Sequence, residues 1–220
     1  MKIPLSKRLL ACCSFINPGE RVADIGCDHG YLGIYLLTKS IARSVIASDI
    51  NQDPLASAVR NSEKYGVRNQ MSFHLSDGVN NIPRDFDVLV CAGMGGDTMV
   101  SILSDAPWLK QDRYRLILQC QSKTPMLRQY LSRNGWQITQ EVVLKDGKFL
   151  YTVMTVIWKP GEALSPGECY FPSALLENEH LSAYYKWVIT GLETIVNNQK
   201  EHANPFAVQA LNELRKREQI

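Results

Sequence analysis

Arg21-Val22-Ala23-Asp24-Ile25-Gly26-Cys27-Asp28-His29-Gly30-Tyr31-Leu32 runs from a short apolar segment, through a turn bounded by two glycines, into an apolar helix start. A strand, a glycine turn and a helix in that order begin a βα unit. The pattern recurs along the chain. Runs of β-branched and apolar residues at 44–49, 71–75, 87–92 and 115–119 read as further strands, with helical patterns at about 30–39, 53–65, 96–104 and 123–133. Five βα units in succession predict an α/β fold with a parallel sheet covered on both faces. After Gly135 the pattern changes. Residues 136–144 and 149–158 are two long strand candidates joined by Lys145-Asp146-Gly147-Lys148, a turn containing Asp-Gly. A β-hairpin therefore completes a mostly parallel seven-stranded sheet.

Pro160, Gly161, Pro166, Gly167 and Pro172 make 161–172 a linker on sequence grounds. Beyond it, Leu181, Tyr184, Tyr185, Val188, Leu192, Ile195 and Val196 recur at three- and four-residue spacing, and Phe206, Val208, Leu211 and Leu214 continue the habit. That spacing predicts an antiparallel, coiled-coil-like helical hairpin turning near 197–204. The expected organisation is a catalytic domain at 1–160, a linker at 161–172 and a helical hairpin at 173–220.

With 220 residues, 45% apolar and 21% charged, the chain has the composition of a globular protein large enough for one full core and a small appendage. The net charge of +2 announces no nucleic-acid partner by itself. The basic start, Met1 to Arg8, precedes an apolar stretch too short to span a bilayer, and no persuasive cleavage site follows it. Six cysteines form no C-x-x-C pair and do not cluster with the four histidines. Free thiols in a reducing cytoplasm, with no metal and no membrane, are the expectation.

In an open parallel sheet, ligands bind at the carboxyl ends of the strands where the strand order reverses. The first strand end offers Asp24, Gly26, Asp28 and Gly30. A dinucleotide site needs G-x-G-x-x-G, with amides turned to a pyrophosphate. Here the glycines are spaced G-x-x-x-G and two carboxylates flank them, which repels a diphosphate and suits a ligand with a cationic head, such as the ammonium and sulfonium of S-adenosylmethionine. Asp49, with Ile50 beside it, ends the second strand, where a carboxylate can accept hydrogen bonds from a ribose diol. Asp77-Gly78 ends the third. Asp77 could take an adenine amino proton or simply form an Asp-Gly turn. Gly93-Met94-Gly95-Gly96 ends the fourth and clears side chains where a flat substrate could approach, although a plain strand-to-helix connection fits the same residues.

Taken together, Leu5-Ser6-Lys7-Arg8-Leu9, Ala23 to Leu32, Ala92-Gly93-Met94-Gly95-Gly96 and Leu116-Ile117-Leu118-Gln119 resemble, in order and spacing, the bacterial tRNA adenine-N1 methyltransferases that modify adenosine 22. The likeness covers about residues 5–158, and the C-terminal hairpin resembles that family's coiled-coil extension. Cys120 stands where the family tends to have Pro. The resemblance implies a Rossmann-like class I methyltransferase fold, S-adenosylmethionine as cofactor and tRNA as partner. Asp24, Gly26, Asp28, Gly30, Asp49, Ile50, Asp77, Gly78 and Gly93 are the expected cofactor residues.

N1 of adenine carries an in-plane lone pair, so placement against the donor methyl supplies most of the catalysis. Asp24 and the carbonyls of Gly93 and Met94 are candidates to favour the charge that develops on the base. His29 and Tyr31 could orient the base; alternatively His29 opens a helix and Tyr31 is core. Arg8 could reach an RNA phosphate or be a solvated cation. Six cations against one acid between 110 and 133 make Lys110, Arg113, Lys123, Arg128 and Arg133 candidate RNA contacts, with Gly95 facing the base. Residues 1–161 carry 19 cations and 14 anions, whereas the remainder carries 5 and 8, with Lys200, Arg215, Lys216 and Arg217 as the hairpin's supply. A small-molecule or protein methyltransferase, an NAD-dependent oxidoreductase and a non-catalytic RNA-binding module stay open as alternatives.

Overall fold

The computed structural model describes residues 3–199 and 204–217. Its chain order is α1 (Lys7–Ser14), β1 (Arg21–Ile25), α2 (Tyr31–Thr38), β2 (Ser44–Asp49), α3 (Gln52–Lys64), β3 (Met71–Leu75), β4 (Val88–Gly95), α4 (Gly96–Ser104), β5 (Arg115–Ser122), α5 (Thr124–Arg133), β6 (Trp136–Asp146), β7 (Phe149–Trp158), α6 (Pro166–Tyr170), α7 (Leu181–Gln199) and α8 (Pro205–Arg217). The seven strands lie in the order β3-β2-β1-β4-β5-β7-β6. β1 to β5 pair in parallel, and β7 runs antiparallel between β5 and β6. The α/β fold and the closing hairpin are as the sequence predicts.

Alternate residues of the central strands enter opposite cores, as a period of two requires. Ala23, Ile25, Leu89, Cys91, Leu116 and Leu118 pack with Met99 and Leu103 of α4 and Leu127 and Leu131 of α5. Val22, Val45, Ala47, Val88, Val90 and Ile117 pack on the other face with Cys12 and Cys13 of α1 and Leu32, Ile34 and Leu36 of α2. Two sequence expectations need correction. The link from β3 to β4 contains no helix; residues 76–87 form a loop that buries Val79, Ile82 and Phe86, so the five strands are not five βα units. The expected linker holds α6, where Ser165 and Glu168 make reciprocal caps and Cys169 is fully buried. Proline and glycine there mark the helix start rather than a free tether.

The C-terminal helices pack through Tyr184, Val188, Leu192, Ala207, Ala210, Leu211 and Leu214, and this cluster includes Val143 of β6. Behind them, Arg128 of α5 is completely buried. Its Nη2 donates to Glu141 Oε1 at 2.6 Å and its Nε to Glu141 Oε2 at 3.1 Å. Nη1 donates to the carbonyls of Cys169 and Tyr170, and Nη2 also reaches Tyr184 Oη at 3.2 Å. Burial alone would drive the guanidinium toward neutrality, but the Glu141 carboxylate and the Tyr184 oxygen together outweigh it and keep the charge. Arg128 therefore ties α5, β6, α6 and α7 together and is unavailable to RNA, contrary to the sequence expectation.

Candidate active site

The strand order reverses between β1 and β4, and a cavity of about 390 Å³ opens at their carboxyl ends. Asp24, the last residue but one of β1, forms its floor. Its carboxylate is 4% exposed, and Oδ2 has no hydrogen-bond partner. Burial, with a further push from the negative charge of Asp49, raises its pKa to about 7. A buried carboxylate with a free oxygen in a ligand-sized cavity calls for a cationic partner.

The loop that follows bends by left-handed backbone at Gly26, Asp28 and Gly30, with φ of 70°, 50° and 72°. At Gly26 a Cβ would meet the tip of the Met94 side chain, which reaches over the β1 loop from β4, and the left-handed backbone there favours glycine in any case. Asp49 holds this loop from β2 through Oδ2, which accepts from the Asp28 amide at 3.1 Å, while its Oδ1 accepts from the Asn51 amide at 2.9 Å in the turn that leads to α3. Asp28 itself points outward, its carboxylate 3.7 Å from His29 Nε2. His29 and Tyr31 stand at the rim with ring centroids 6.0 Å apart.

The opposite wall is the end of β4. Gly93, at φ 80°, donates its amide to Gln119 Oε1 at 3.1 Å. Gln119 is fully buried and lines the cavity, as does Gln121 two residues on. Neither was singled out as a site residue from sequence; the available signal was a polar amide at the end of an otherwise apolar strand. Arg8 overlooks the mouth from α1, where its Nε donates to Asp146 at 3.1 Å and its guanidinium lies 4.9 Å from the centre of the Tyr151 ring.

Other sequence candidates fall outside the cavity. Gly30 packs on α3, its missing Cβ 2.9 Å from Ala58 Cβ. Ile50, exposed, and Asp77 lie at the ends of β2 and β3 on the same sheet edge, and Gly78 abuts Ile102. Gly95 caps α4 and faces Asp97 and Ser122. Among the cations, Lys123 stands at the carboxyl end of β5, paired with Asp97 at 2.7 Å. Lys110 and Arg113 precede β5, and Arg133 ends the helix that returns from it, which puts all three at the far end of the sheet. Arg113 there donates to the Arg84 carbonyl. The basic run along the chain is therefore split in space, because a strand carries its two ends to opposite sides of the molecule. Lys200 lies outside the described residues.

The methyltransferase-domain family pattern matches residues 5–154. The chain belongs to this family. Within it, the methyltransferase groups with the tRNA (adenine-22-N1) enzymes. It is 29% identical over 218 residues to the tRNA (adenine(22)-N(1))-methyltransferase of Bacillus subtilis, covering 90% of this chain and 92% of that one. The crystal structure of the B. subtilis m1A22 tRNA methyltransferase TrmK superposes with a TM-score of 0.78 at 28% identity, over 99% of this chain and 97% of that one. TrmK of M. capricolum, solved with the cofactor product S-adenosyl-homocysteine, superposes with a TM-score of 0.81 at 27% identity, over 97% of each chain. The methyltransferase cavity occupies the matched segment, and its acidic floor fits a sulfonium donor bearing an ammonium group.

Free thiols do not compete as nucleophiles. All six cysteines are free and buried, and burial is the first cause raising the thiols of Cys12, Cys27 and Cys91. Among the described residues no helix is long and apolar enough to cross a membrane, and no His, Cys, Asp and Glu side chains group to hold a metal.

Proposed function

We propose that this methyltransferase transfers the methyl group of S-adenosylmethionine to N1 of adenosine 22 in cytoplasmic tRNA. The unpartnered, buried carboxylate of Asp24 at the switch point carries the reading, because it supports a cationic donor where a dinucleotide enzyme would present amides to phosphate.

When bound, the cofactor supplies an electrophilic methyl on sulfur. The chain's own residues place the reactants. Of the two flanking carboxylates, Asp24 pairs with the ammonium, because the Asp28 side chain is 69% exposed. Asp49 fixes the β1 loop through one oxygen, at the Asp28 amide, and its own following turn through the other, at the Asn51 amide, so its help to a ribose comes on top of an architectural task. Gly93 and Met94 bound the gap through which a base can approach, and their carbonyls are suited to the positive charge that grows on the ring as the N1 lone pair forms its new bond. No strong base is required. His29 and Tyr31 at the rim are the groups placed to hold the base plane. The target must leave its stack to enter, at a cost of a few kcal/mol that backbone contacts offset.

Asp24 also sets a pH dependence. Its pKa of about 7 means that the carboxylate is largely neutral at pH 5.5 and largely ionised at 7.5. An α-amino group stays mostly protonated up to about pH 7.7. Affinity for S-adenosylmethionine should thus rise by more than about tenfold from pH 5.5 to 7.5. Calorimetric titration across that range checks it, and a flat profile would remove Asp24 from the ammonium site.

The function itself is tested by incubating the enzyme with donor and total tRNA, then mapping the modified nucleotide by mass spectrometry. Methylated adenosine at position 22 is expected. Methyl transfer to protein or metabolites, with none to tRNA, would overturn the reading.

A further inference from the structure

A second cleft, of about 350 Å³, lies between α7, the carboxyl end of β5 and the amino end of the antiparallel β7, and it meets the first cavity at Gln121, which lines both. Its wall on α7 carries Trp187, which is 61% exposed although it stacks on Tyr184 at 5.8 Å and 26°. As sequence, the aromatic residues Tyr184, Tyr185 and Trp187 are expected more as core than as a stacking platform. The structure separates them: Tyr184 is buried against Arg128, Tyr185 donates to the Leu214 carbonyl, and Trp187 is left in the open.

Two further observations point to an occupant. The hydroxyl of Thr152, on β7 in the wall of this cleft, is buried and has no hydrogen-bond partner, a state that polar groups in folded chains rarely keep. Gly191 sits in the middle of α7 facing the cleft, and nothing lies within 4 Å of where its Cβ would be. Packing does not demand a glycine there, and glycine weakens a helix interior. Its effect is to keep the cleft wide. Lys123 stands at the rim in an exposed pair with Asp97, a kind of pair that holds weakly in water.

We propose that this cleft binds a nucleotide next to the target adenosine in the RNA, its base stacked on Trp187 and its phosphate facing Lys123. The inference rests on the tRNA methyltransferase reading above and adds a subsite to it. An aromatic face beside a cation is the chemistry by which proteins hold an unstacked base without reading its sequence. Continuity through Gln121 places that base beside the one being methylated.

The test compares Trp187→Ala, Trp187→Phe and Gly191→Leu in the full-length enzyme. Trp187→Ala should raise KM for tRNA about tenfold, with kcat within about twofold and cofactor Kd unchanged. Trp187→Phe should restore most of the loss. Gly191→Leu, which fills the cleft without a clash, should raise KM as Trp187→Ala does. Replacing the nucleotides that flank the target with abasic residues should erase the difference between wild type and Trp187→Ala. If the unaltered enzyme methylates tRNA and both Trp187→Ala and Gly191→Leu leave KM unchanged, the cleft proposal fails while the function stands. A changed cofactor Kd with unchanged KM would mark a structural role for Trp187 and also overturn it. If the unaltered enzyme transfers no methyl to tRNA, the functional reading fails first and takes the subsite with it.

Discussion

Asp24→Asn is expected to weaken S-adenosylmethionine binding by at least about tenfold and to make the protein more stable at alkaline pH. The first effect follows from losing a charge-assisted contact, about 1.5–3 kcal/mol when the acceptor is ionised. The second follows from linkage. The native pKa of about 7 lies above the ordinary value of about 3.9, so wild-type stability is fullest below pH 4 and declines as pH rises through 7. Asparagine removes that decline. The gain is on the order of 2 kcal/mol at pH 8.5, after allowing for an amide that must find its own partners, and it falls away toward pH 4, where the wild-type side chain is neutral in the folded and the unfolded chain alike. For a chain of this length that corresponds to a rise in Tm of about 4–8 °C. Thermal unfolding at pH 5 and 8.5, with and without cofactor, decides the matter. A variant that binds the donor as wild type does, or is no more stable at pH 8.5, contradicts the electrostatic account.

Arg128→Ala should cost about 3–5 kcal/mol of stability, because it strands Glu141 and three carbonyl or hydroxyl oxygens in the interior. The double variant Arg128→Met with Glu141→Leu should recover most of that loss, since replacing both partners leaves no buried charge. Cofactor affinity measured well below the transition should be unchanged in both, because neither residue lines the switch-point cavity. Denaturant titration supplies the numbers. If Arg128→Ala unfolds as wild type does while tRNA binding falls, the sequence-based view of Arg128 as an RNA contact is restored.

The fold was legible because its signals are local. Strands β1, β2, β3 and β7 match the sequence reading, and the others differ only by a few residues at their ends. The acidic glycine loop was legible for the same reason: Asp24, Gly26 and Asp28 are consecutive chemistry on one turn. What failed was long-range. Nothing in the spacing of Arg128 and Glu141 shows that both point inward, and the basic run from 110 to 133 looks continuous only until β5 carries Lys110 and Lys123 to opposite ends of the sheet. Gln119 was quoted as part of a motif, yet its grip on the Gly93 amide depends on β4 and β5 being neighbours. Trp187 and Tyr184 differ by three positions on one helix, and only the packing of α7 over β7 and α5 separates a structural ring from an open one.

Arg128 has one more consequence. By anchoring to Cys169, Tyr170 and Tyr184 at once, it welds the C-terminal helices to the sheet before any RNA arrives. Encounter with a nucleic acid therefore incurs no entropy penalty for aligning two swinging lobes. With Trp187 holding the neighbouring base as proposed, the span from Trp187 to Asp24 would work as a fixed calliper, accepting an RNA when the shape of its own backbone brings the correct nucleotide to the methyl donor.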